Sequence, residues 1–94
     1  MMNYQRFIEK VERNIMTYLP NPDGMSAEVR EVHKNNGITL QGLTIKDENS
    51  NIAPTIYLEQ FYDEYNQGHE FSEVMSDIAA AYEKSKKSII PGFS

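Results

Sequence analysis

The fold is decided by the stretch Val32-His33-Lys34-Asn35-Asn36-Gly37-Ile38-Thr39-Leu40, residues 32–40. An Asn-Gly pair between two runs of strand-forming residues is the strongest short-range signal for a β-hairpin, because it supplies the positive φ angles of a type I′ turn. The first strand is therefore expected near residues 27–34 and the second over residues 38–45. In the second strand the apolar alternation shifts at Gly42, which predicts either a bulge or a close approach of another part of the chain.

A third strand is predicted near residues 52–57. Pro54 lies inside it, and proline cannot donate a ladder hydrogen bond, so this strand is expected at an edge of the sheet or with the proline nitrogen facing outward. On the first two strands the polar alternation suggests an outer, solvated sheet face that is made of four side chains: Glu28, Arg30, Thr39 and Gln41.

Helical periodicity flanks the strands on both sides. Residues 3–18 carry an apolar stripe at steps of three and four residues, with Asn3 as the predicted N-cap and Pro20 after the end. After the strands, a short helix runs to Gly68, which suits a helix C-terminus with positive φ. A longer helix covers residues 70–87, with glutamates in its first turn and lysines in its last, the order that the helix dipole favours.

These elements predict a single α+β domain over residues 1–87, in the order α-β-β-β-α-α. The three-stranded sheet is an antiparallel meander, and the two C-terminal helices pack on one of its faces. Residues 88–94 form an apolar tail with Ile89, Ile90 and Phe93. This tail is expected either to dock on the domain or to begin a linker to a further part of a longer protein.

Charge is distributed unevenly along the 94 residues, whose formal net charge is −5. Between Asp47 and Glu83 there are nine carboxylates and no lysine or arginine, so the remainder carries +4. On the first helix Arg6, Lys10 and Arg13 share one side. Such asymmetry is a clue to interaction, although acidic helix faces are also simply solvated in many proteins.

Several function classes are argued against by the composition. The chain has no cysteine, which removes thiol chemistry and cysteine-based metal sites. Neither a signal-peptide core nor a membrane-spanning run is present, and a cytoplasmic location without membrane contact is expected. Duplex-RNA-binding domains share the order helix, three strands, helix, but here acidic residues (Glu59, Asp63 and Glu64) follow the third strand. They would repel phosphate, so no nucleic-acid partner is expected.

A family resemblance rests on five parts of the chain: the end of the opening helix at residues 18–20, residues 34–37, residues 40–43, the run Ile52-Ala53-Pro54-Thr55-Ile56-Tyr57-Leu58, and the later positions Tyr62, Tyr65 and Gly68. They resemble the N-terminal region of a family of uncharacterised proteins from gut Clostridia and related Firmicutes, over about residues 3–82. Glu59 departs from the family pattern, which has Asn after the leucine. The resemblance implies that the domain is the first part of a longer protein, and it carries no established activity.

The candidate site residues come from the acidic block and its histidine. A binding surface is predicted at Glu59, Asp63, Glu64, His69 and Glu73. No histidine spacing supports a metal site, and no catalytic residue, metal or cofactor is assigned. The aromatic residues Phe61, Tyr62 and Tyr65 have helical spacing and are expected in the core, with tyrosine hydroxyls at its rim.

Three hypotheses of function follow from these features. The preferred one is a non-catalytic protein-interaction or assembly module that binds a protein partner, another copy of itself or the rest of a longer chain; the oligomeric state stays open. The second is a small hydrolase or regulatory domain whose carboxylate and histidine site is built from Asp63, His69 and Glu73. The third is an acidic mimic of nucleic acid.

Overall fold

The computed structural model describes residues 2–88. Its elements follow in chain order: helix α1 Tyr4–Asn14 with a 3₁₀ turn Ile15–Tyr18, strands β1 Met25–His33, β2 Thr39–Asp47 and β3 Thr55–Tyr57, and helices α2 Glu59–Asn66 and α3 Phe71–Ser88. This order confirms the predicted α+β architecture. Apart from Ser88, the apolar tail lies outside the described residues, so the prediction for Ile89, Ile90 and Phe93 stays a prediction.

The sheet is antiparallel with strand order β1-β2-β3. Its central row places Val29 opposite Leu43 and Leu43 opposite Ile56. β3 lies at an edge, as Pro54 predicts, and it is shorter than the predicted strand. The carbonyl of Pro54 extends the ladder, since it accepts a hydrogen bond from the Ile45 N–H at 3.3 Å.

The hairpin turn differs from the predicted type I′ turn. Gly37 has φ +85°, but no residue other than glycine has positive φ in the described chain, so Asn36 does not adopt the conformation that type I′ requires. The Lys34 N–H instead donates to the Ile38 carbonyl at 2.8 Å, and the Gly37 N–H donates to the Lys34 carbonyl at 3.1 Å. The connection is therefore a three-residue loop that ends in a left-handed glycine.

Gly42 is a site of close approach and not a bulge, because the β1–β2 register runs through it without interruption. A Cβ atom at this position would lie 2.7 Å from Thr55 Cγ2 and 3.2 Å from Val32 Cγ2. The shift in the apolar alternation thus has a different origin. β2 carries apolar side chains on both faces, with Leu40 on one face and Leu43 and Ile45 on the other.

One sheet face is covered by the three helices, and we call the other the open face. Alternation from the central row puts Glu28, Arg30 and Leu40 on the open face. Thr39 and Gln41 have the parity of Leu43 and so belong to the helix side. Their predicted place on the outer polar face was wrong, whereas that of Glu28 and Arg30 was right.

The core lies between the sheet and the helix layer. Together with Ile56 and Leu58, it contains the fully buried side chains of α1, the 3₁₀ turn, β2 and α3: Phe7, Val11, Ile15, Leu43, Ile45, Val74, Met75, Ile78 and Tyr82. Phe61 is buried, while Tyr62 and Tyr65 are half-buried and pack against this core. The helical periodicity therefore identified the core correctly. Within residues 2–88, no helix combines the length and the apolar composition needed to cross a bilayer.

Helix ends follow the predicted capping residues with one exception. The Asn3 side chain accepts a hydrogen bond from the Arg6 N–H at 2.9 Å, and Gly68 with φ +105° closes α2 in a Schellman motif. The exception is the end of α1, which tightens into a 3₁₀ turn after Asn14. The Asn14 side chain donates to the Lys10 carbonyl at 2.7 Å, and such local bonding competes with the regular helix.

Candidate functional site

Glu59 joins three elements at the start of α2. Its Oε2 atom accepts hydrogen bonds from the Tyr4 hydroxyl at 2.7 Å and from the Gln41 N–H at 2.6 Å. Its Oε1 atom is buried and has no hydrogen-bond partner. Both bonds are to a carboxylate and are therefore of the stronger, charge-assisted kind. We call this arrangement of Tyr4, Gln41 and Glu59 the Glu59 clasp; it ties α1 and β2 to α2.

The Glu59 clasp changes the pKa of the Tyr4 phenol. Burial raises the pKa of the Tyr4 phenol well above its ordinary value of 10, and the hydrogen bond and charge of Glu59 and the charge of Asp63 raise it further. The phenol therefore stays protonated and acts as a donor at neutral pH. A protonated phenol that donates to a carboxylate is a stable structural pair.

Asp63 lies one turn after Glu59, and its side chain is exposed. Beside it, Tyr62 packs against Tyr4 with ring centroids 4.9 Å apart, and its hydroxyl donates to the Met2 carbonyl at 3.0 Å. Phe7 continues this aromatic cluster, 5.2 Å from the Tyr62 ring. The end of α2 that carries Glu59 and Asp63 is thus held against α1 by aromatic packing and hydrogen bonds.

Glu64 and His69 belong to a second group, between α2 and α3. The pKa of Glu64 is raised, mainly because the carboxyl is removed from water and then because it hydrogen-bonds to Asp77 and feels its charge; the charge of His69 opposes this shift. The His69 side chain is exposed, and its N–H donates to the Glu64 carbonyl at 3.3 Å. Glu64 and Asp77 therefore lie close together at the protein surface, and the charge of His69 acts on Glu64.

Glu73 has a structural role in the first turn of α3. Its Oε1 atom accepts a hydrogen bond from the Glu70 N–H at 3.3 Å, which is the returning half of a capping box. The side chain is exposed. Glu73 thus caps the helix to which it belongs.

The predicted binding residues are consequently distributed over three surroundings. Glu59 and Asp63 lie beside Tyr4, Glu64 and His69 lie beside Asp77, and Glu73 lies at its own helix start. Asp63, His69 and Glu73, the three residues proposed for an enzyme site, therefore lie in three different surroundings. Across residues 2–88, no three histidine or carboxylate side chains are grouped so that they could hold a metal ion.

The open face of the sheet carries a feature that the charge pattern did not indicate. Ile38 is 49% exposed and Tyr57 is 37% exposed, and these are the exposed large apolar residues of the described chain. Val32 and Leu40, which are half-buried cross-strand partners, lie beside them on the same face. We call Val32, Ile38, Leu40 and Tyr57 the hairpin patch.

Lys34 holds one side of the hairpin patch in place. Its ammonium group lies 4.7 Å from the centroid of the Tyr57 ring and donates a hydrogen bond to the Tyr57 hydroxyl at 2.9 Å. A cation over an aromatic ring is favourable, and the contact fixes the orientation of the exposed tyrosine. The aromatic face that meets solvent is thus preorganised.

Charged side chains of the open face are mostly basic. Arg30 forms an ion pair with Glu28 at 2.7 Å, and this pair lowers the pKa of the Glu28 carboxyl through the hydrogen bond and the charge of Arg30. Lys34 and Lys46 have the same parity as Arg30 and add two further positive charges. The open face is therefore apolar at the hairpin end, where Lys34 lies, and carries a further positive charge, Lys46, at its opposite end.

The hairpin patch was not predicted because it depends on strand parity. The available signal was the shift in alternation at Gly42, which marks a strand with apolar residues on both faces. A strand that buries one face normally has polar residues on the other. Ile38 and Leu40 on the side opposite Leu43 therefore point to a second surface that needs covering.

Comparison with known proteins bears out the resemblance to an uncharacterised family. The family model described as Family of unknown function (DUF5688) matches residues 4–91, a range that includes both the Glu59 clasp and the hairpin patch. No curated protein matches the chain, and no solved structure matches it.

Proposed function

We propose that this chain, which belongs to the Family of unknown function (DUF5688), is a non-catalytic protein-interaction module that binds its partner through the open face of the sheet. The observation that supports the proposal is the hairpin patch. Both exposed large apolar side chains of residues 2–88, Ile38 and Tyr57, lie on this one face. Isolated exposed apolar residues are ordinary, but a contiguous group on an uncovered sheet face is typical of an association surface.

The size of the patch sets the expected affinity. Complete burial of one large apolar side chain is worth about 1.5–3 kcal/mol, and the four side chains of the patch are already partly buried. Their remaining exposed area therefore offers a few kcal/mol toward a binding reaction that must also offset the loss of translational and rotational freedom. This balance favours a reversible partner over a permanent one.

The surroundings of the acidic residues agree with a non-catalytic role. Glu59 is engaged by Tyr4 and Gln41, and Glu73 is engaged by the backbone of its own helix. A general acid or base needs a lone pair or proton that a substrate can reach. The unpaired Oε1 atom of Glu59 is buried, so a substrate in solvent does not reach it in this structure. Both carboxylates instead stabilise the packing of the helices that carry the fold.

The proposal is tested by partner capture with a matched pair of variants. Wild-type protein, Ile38→Glu and Gln60→Glu are immobilised, and retained proteins are identified by mass spectrometry and then measured as purified proteins by calorimetry. Gln60 is an exposed residue of α2, so its variant adds a negative charge away from the open face. Circular dichroism melts confirm that all three proteins are folded.

The expected result is a partner whose affinity is unchanged by Gln60→Glu and lowered at least about tenfold by Ile38→Glu, which corresponds to about 1.4 kcal/mol. A partner that binds wild type and Ile38→Glu with equal affinity would place the interface elsewhere and contradict the proposal.

A further inference from the structure

We infer that the occupant of the open face is an acidic amphipathic helix of a partner protein, about 18 residues long, whose apolar stripe meets the hairpin patch. This inference rests on the proposed function, since it specifies the partner of the same surface. It is carried by the charge of the open face, the dimensions of that face, and the surfaces that a second copy of the chain would offer.

The charge of the open face is opposite in sign to that of the whole chain. Arg30 and Glu28 neutralise each other in their ion pair, so Lys34 and Lys46 leave the strand positions of this face with a net charge of +2. The chain as a whole carries −5, which leaves −7 for the remaining residues. A partner surface that contacts this face is therefore favoured if it brings carboxylates.

The two lysines differ in how they are engaged. The Lys34 ammonium uses one of its three donors on Tyr57, and two remain for a partner. Lys46 is exposed and has neither a hydrogen-bond nor an ion-pair partner within the described residues. Each lysine can thus donate to a carboxylate of a partner without breaking an ion pair of the free protein.

The dimensions of the face fit one helix. The nine-residue strands β1 and β2 extend over roughly 30 Å and, spaced by about 4.8 Å, make a face roughly 10 Å wide, which the three-residue β3 widens to roughly 14 Å beside residues 42–44. An α-helix with its side chains is about 10–12 Å across. Lys46 pairs with Ser26, eight residues from Lys34 along the strand direction, which is a separation of roughly 26 Å. An 18-residue helix spans about 27 Å and so reaches both lysines.

A second copy of the chain fits the face less well. Its own open face would bring the same apolar patch but also the same positive charges, and like charges in an interface are unfavourable. The acidic helices of a second copy have already buried their apolar stripes, as Phe61, Val74 and Ile78 show. The open face of a second copy therefore offers apolar residues together with positive charge, whereas its acidic helices offer negative charge without free apolar residues.

The experiment titrates the 94-residue protein with two synthetic 18-residue peptides that share one leucine stripe and differ in their flanking residues, which are glutamate in the first and lysine in the second. Amide shifts in ¹H–¹⁵N spectra locate the binding, and fluorescence anisotropy of labelled peptides measures the affinity. The protein variants are Lys34→Glu and, as a control with the same change in charge, Arg6→Glu. Arg6 is exposed on α1, away from the open face.

We expect the glutamate peptide to shift the amides of Val32, Leu40 and Gly42 and to bind at least about fivefold more tightly than the lysine peptide in 50 mM salt. Lys34→Glu should weaken the glutamate peptide by at least about fivefold, and Arg6→Glu should leave it unchanged. The preference should shrink in 0.5 M salt, because exposed charges are then screened within a few ångströms.

Three results would overturn the inference. Equal affinity of the two peptides for the open face would contradict the inference that the partner helix is acidic, although the face would still be a binding surface as proposed. A dimer in sedimentation equilibrium that Ile38→Lys dissociates and Arg6→Glu does not would identify a second copy as the occupant, which also leaves the proposed function intact. Peptide-induced shifts confined to α1, or no shifts at all, would show that no acidic helix binds this face.

Discussion

Replacing Tyr4 with Phe tests whether the Glu59 clasp stabilises the fold. The substitution removes the hydroxyl group alone, so the aromatic packing on Tyr62, with centroids 4.9 Å apart, is retained. What is lost is a hydrogen bond of 2.7 Å to the Glu59 carboxylate. Glu59 keeps its bond from the Gln41 N–H at 2.6 Å, while its Oε1 atom remains buried without a partner.

The expected loss of stability follows from the type of hydrogen bond. A bond to a charged group contributes about 1.5–3 kcal/mol, and the half-buried position of Tyr4 and Glu59 lets water compete, so we expect about 1–2 kcal/mol. For a domain of this length, each kcal/mol corresponds to about 4–8 °C in melting temperature. Tyr4→Phe should therefore melt roughly 4–16 °C below the wild-type protein.

Urea unfolding followed by circular dichroism measures the difference at pH 7. Tyr18→Phe is the matched control, because Tyr18 is also half-buried but its hydroxyl forms no hydrogen bond within the described residues. The control should unfold within about 0.5 kcal/mol of wild type, the usual range of a surface substitution. If Tyr4→Phe also fell within this range, the clasp would contribute nothing to the fold, and equal losses in both variants would show a general effect of removing a phenol.

Wild-type protein and Tyr4→Phe should also differ in how their stability changes in alkaline solution. Since the pKa of Tyr4 is raised by burial and then by Glu59 and Asp63, the folded protein holds the phenolic proton more tightly than the unfolded chain does. The stabilisation from this group is complete below pH 10 and is lost as the pH rises above 10, by at most about 1.4 kcal/mol per pH unit. Tyr4→Phe should show a shallower decrease between pH 10 and 11.5, while Tyr82, whose pKa burial also raises, retains its share in both proteins.

Three further substitutions test the structural assignments. Gly42→Ala should lower the free energy of unfolding in urea by about 1–3 kcal/mol, because the added methyl group would lie 2.7 Å from Thr55 Cγ2. The double variant with Thr55→Ser should recover part of this loss, and no recovery would contradict the close approach. Asn3→Ala should cost about 1 kcal/mol through loss of the α1 cap, and an unchanged melting temperature would refute that assignment. Glu64→Gln should raise the melting temperature at pH 7, because burial and Asp77 raise the pKa of Glu64 and the ionised carboxylate therefore destabilises the fold above its ordinary pKa of 4.5. The advantage of the variant should disappear near pH 4, and a lower melting temperature than wild type at pH 7 would contradict this explanation.

Local sequence determined the element order and most of the core. The apolar residues of α1 repeat with the period of a helix, and Phe7, Val11 and Ile15 are fully buried where that stripe predicts. Asn3 and Gly68 act at helix ends because a short polar side chain and a residue tolerant of positive φ suit those positions whatever the rest of the fold does. Such features depend on residues within one or two turns, which is why they can be predicted.

The candidate site could be predicted only in part. Glu59 was named from the acidic block, but its partners Tyr4 and Gln41 are 55 and 18 residues away in the chain. No local pattern links positions that far apart, because their contact arises only when α1, β2 and α2 pack together. The burial that raises the pKa of Tyr4 is a consequence of the same packing.

The two faces of the sheet were decided by tertiary structure. Sequence by itself determined that a hairpin turns near Gly37, but not the length of its loop. A two-residue turn centred on Asn36 and Gly37 would place Arg30 opposite Leu43, whereas the three-residue loop places Val29 there. A shift of one residue sends every side chain of a strand to the opposite face. The packing of Val29, Leu43 and Ile56 under the helices selects the observed register, and that register leaves Ile38 and Leu40 on the open face as a surface for a partner.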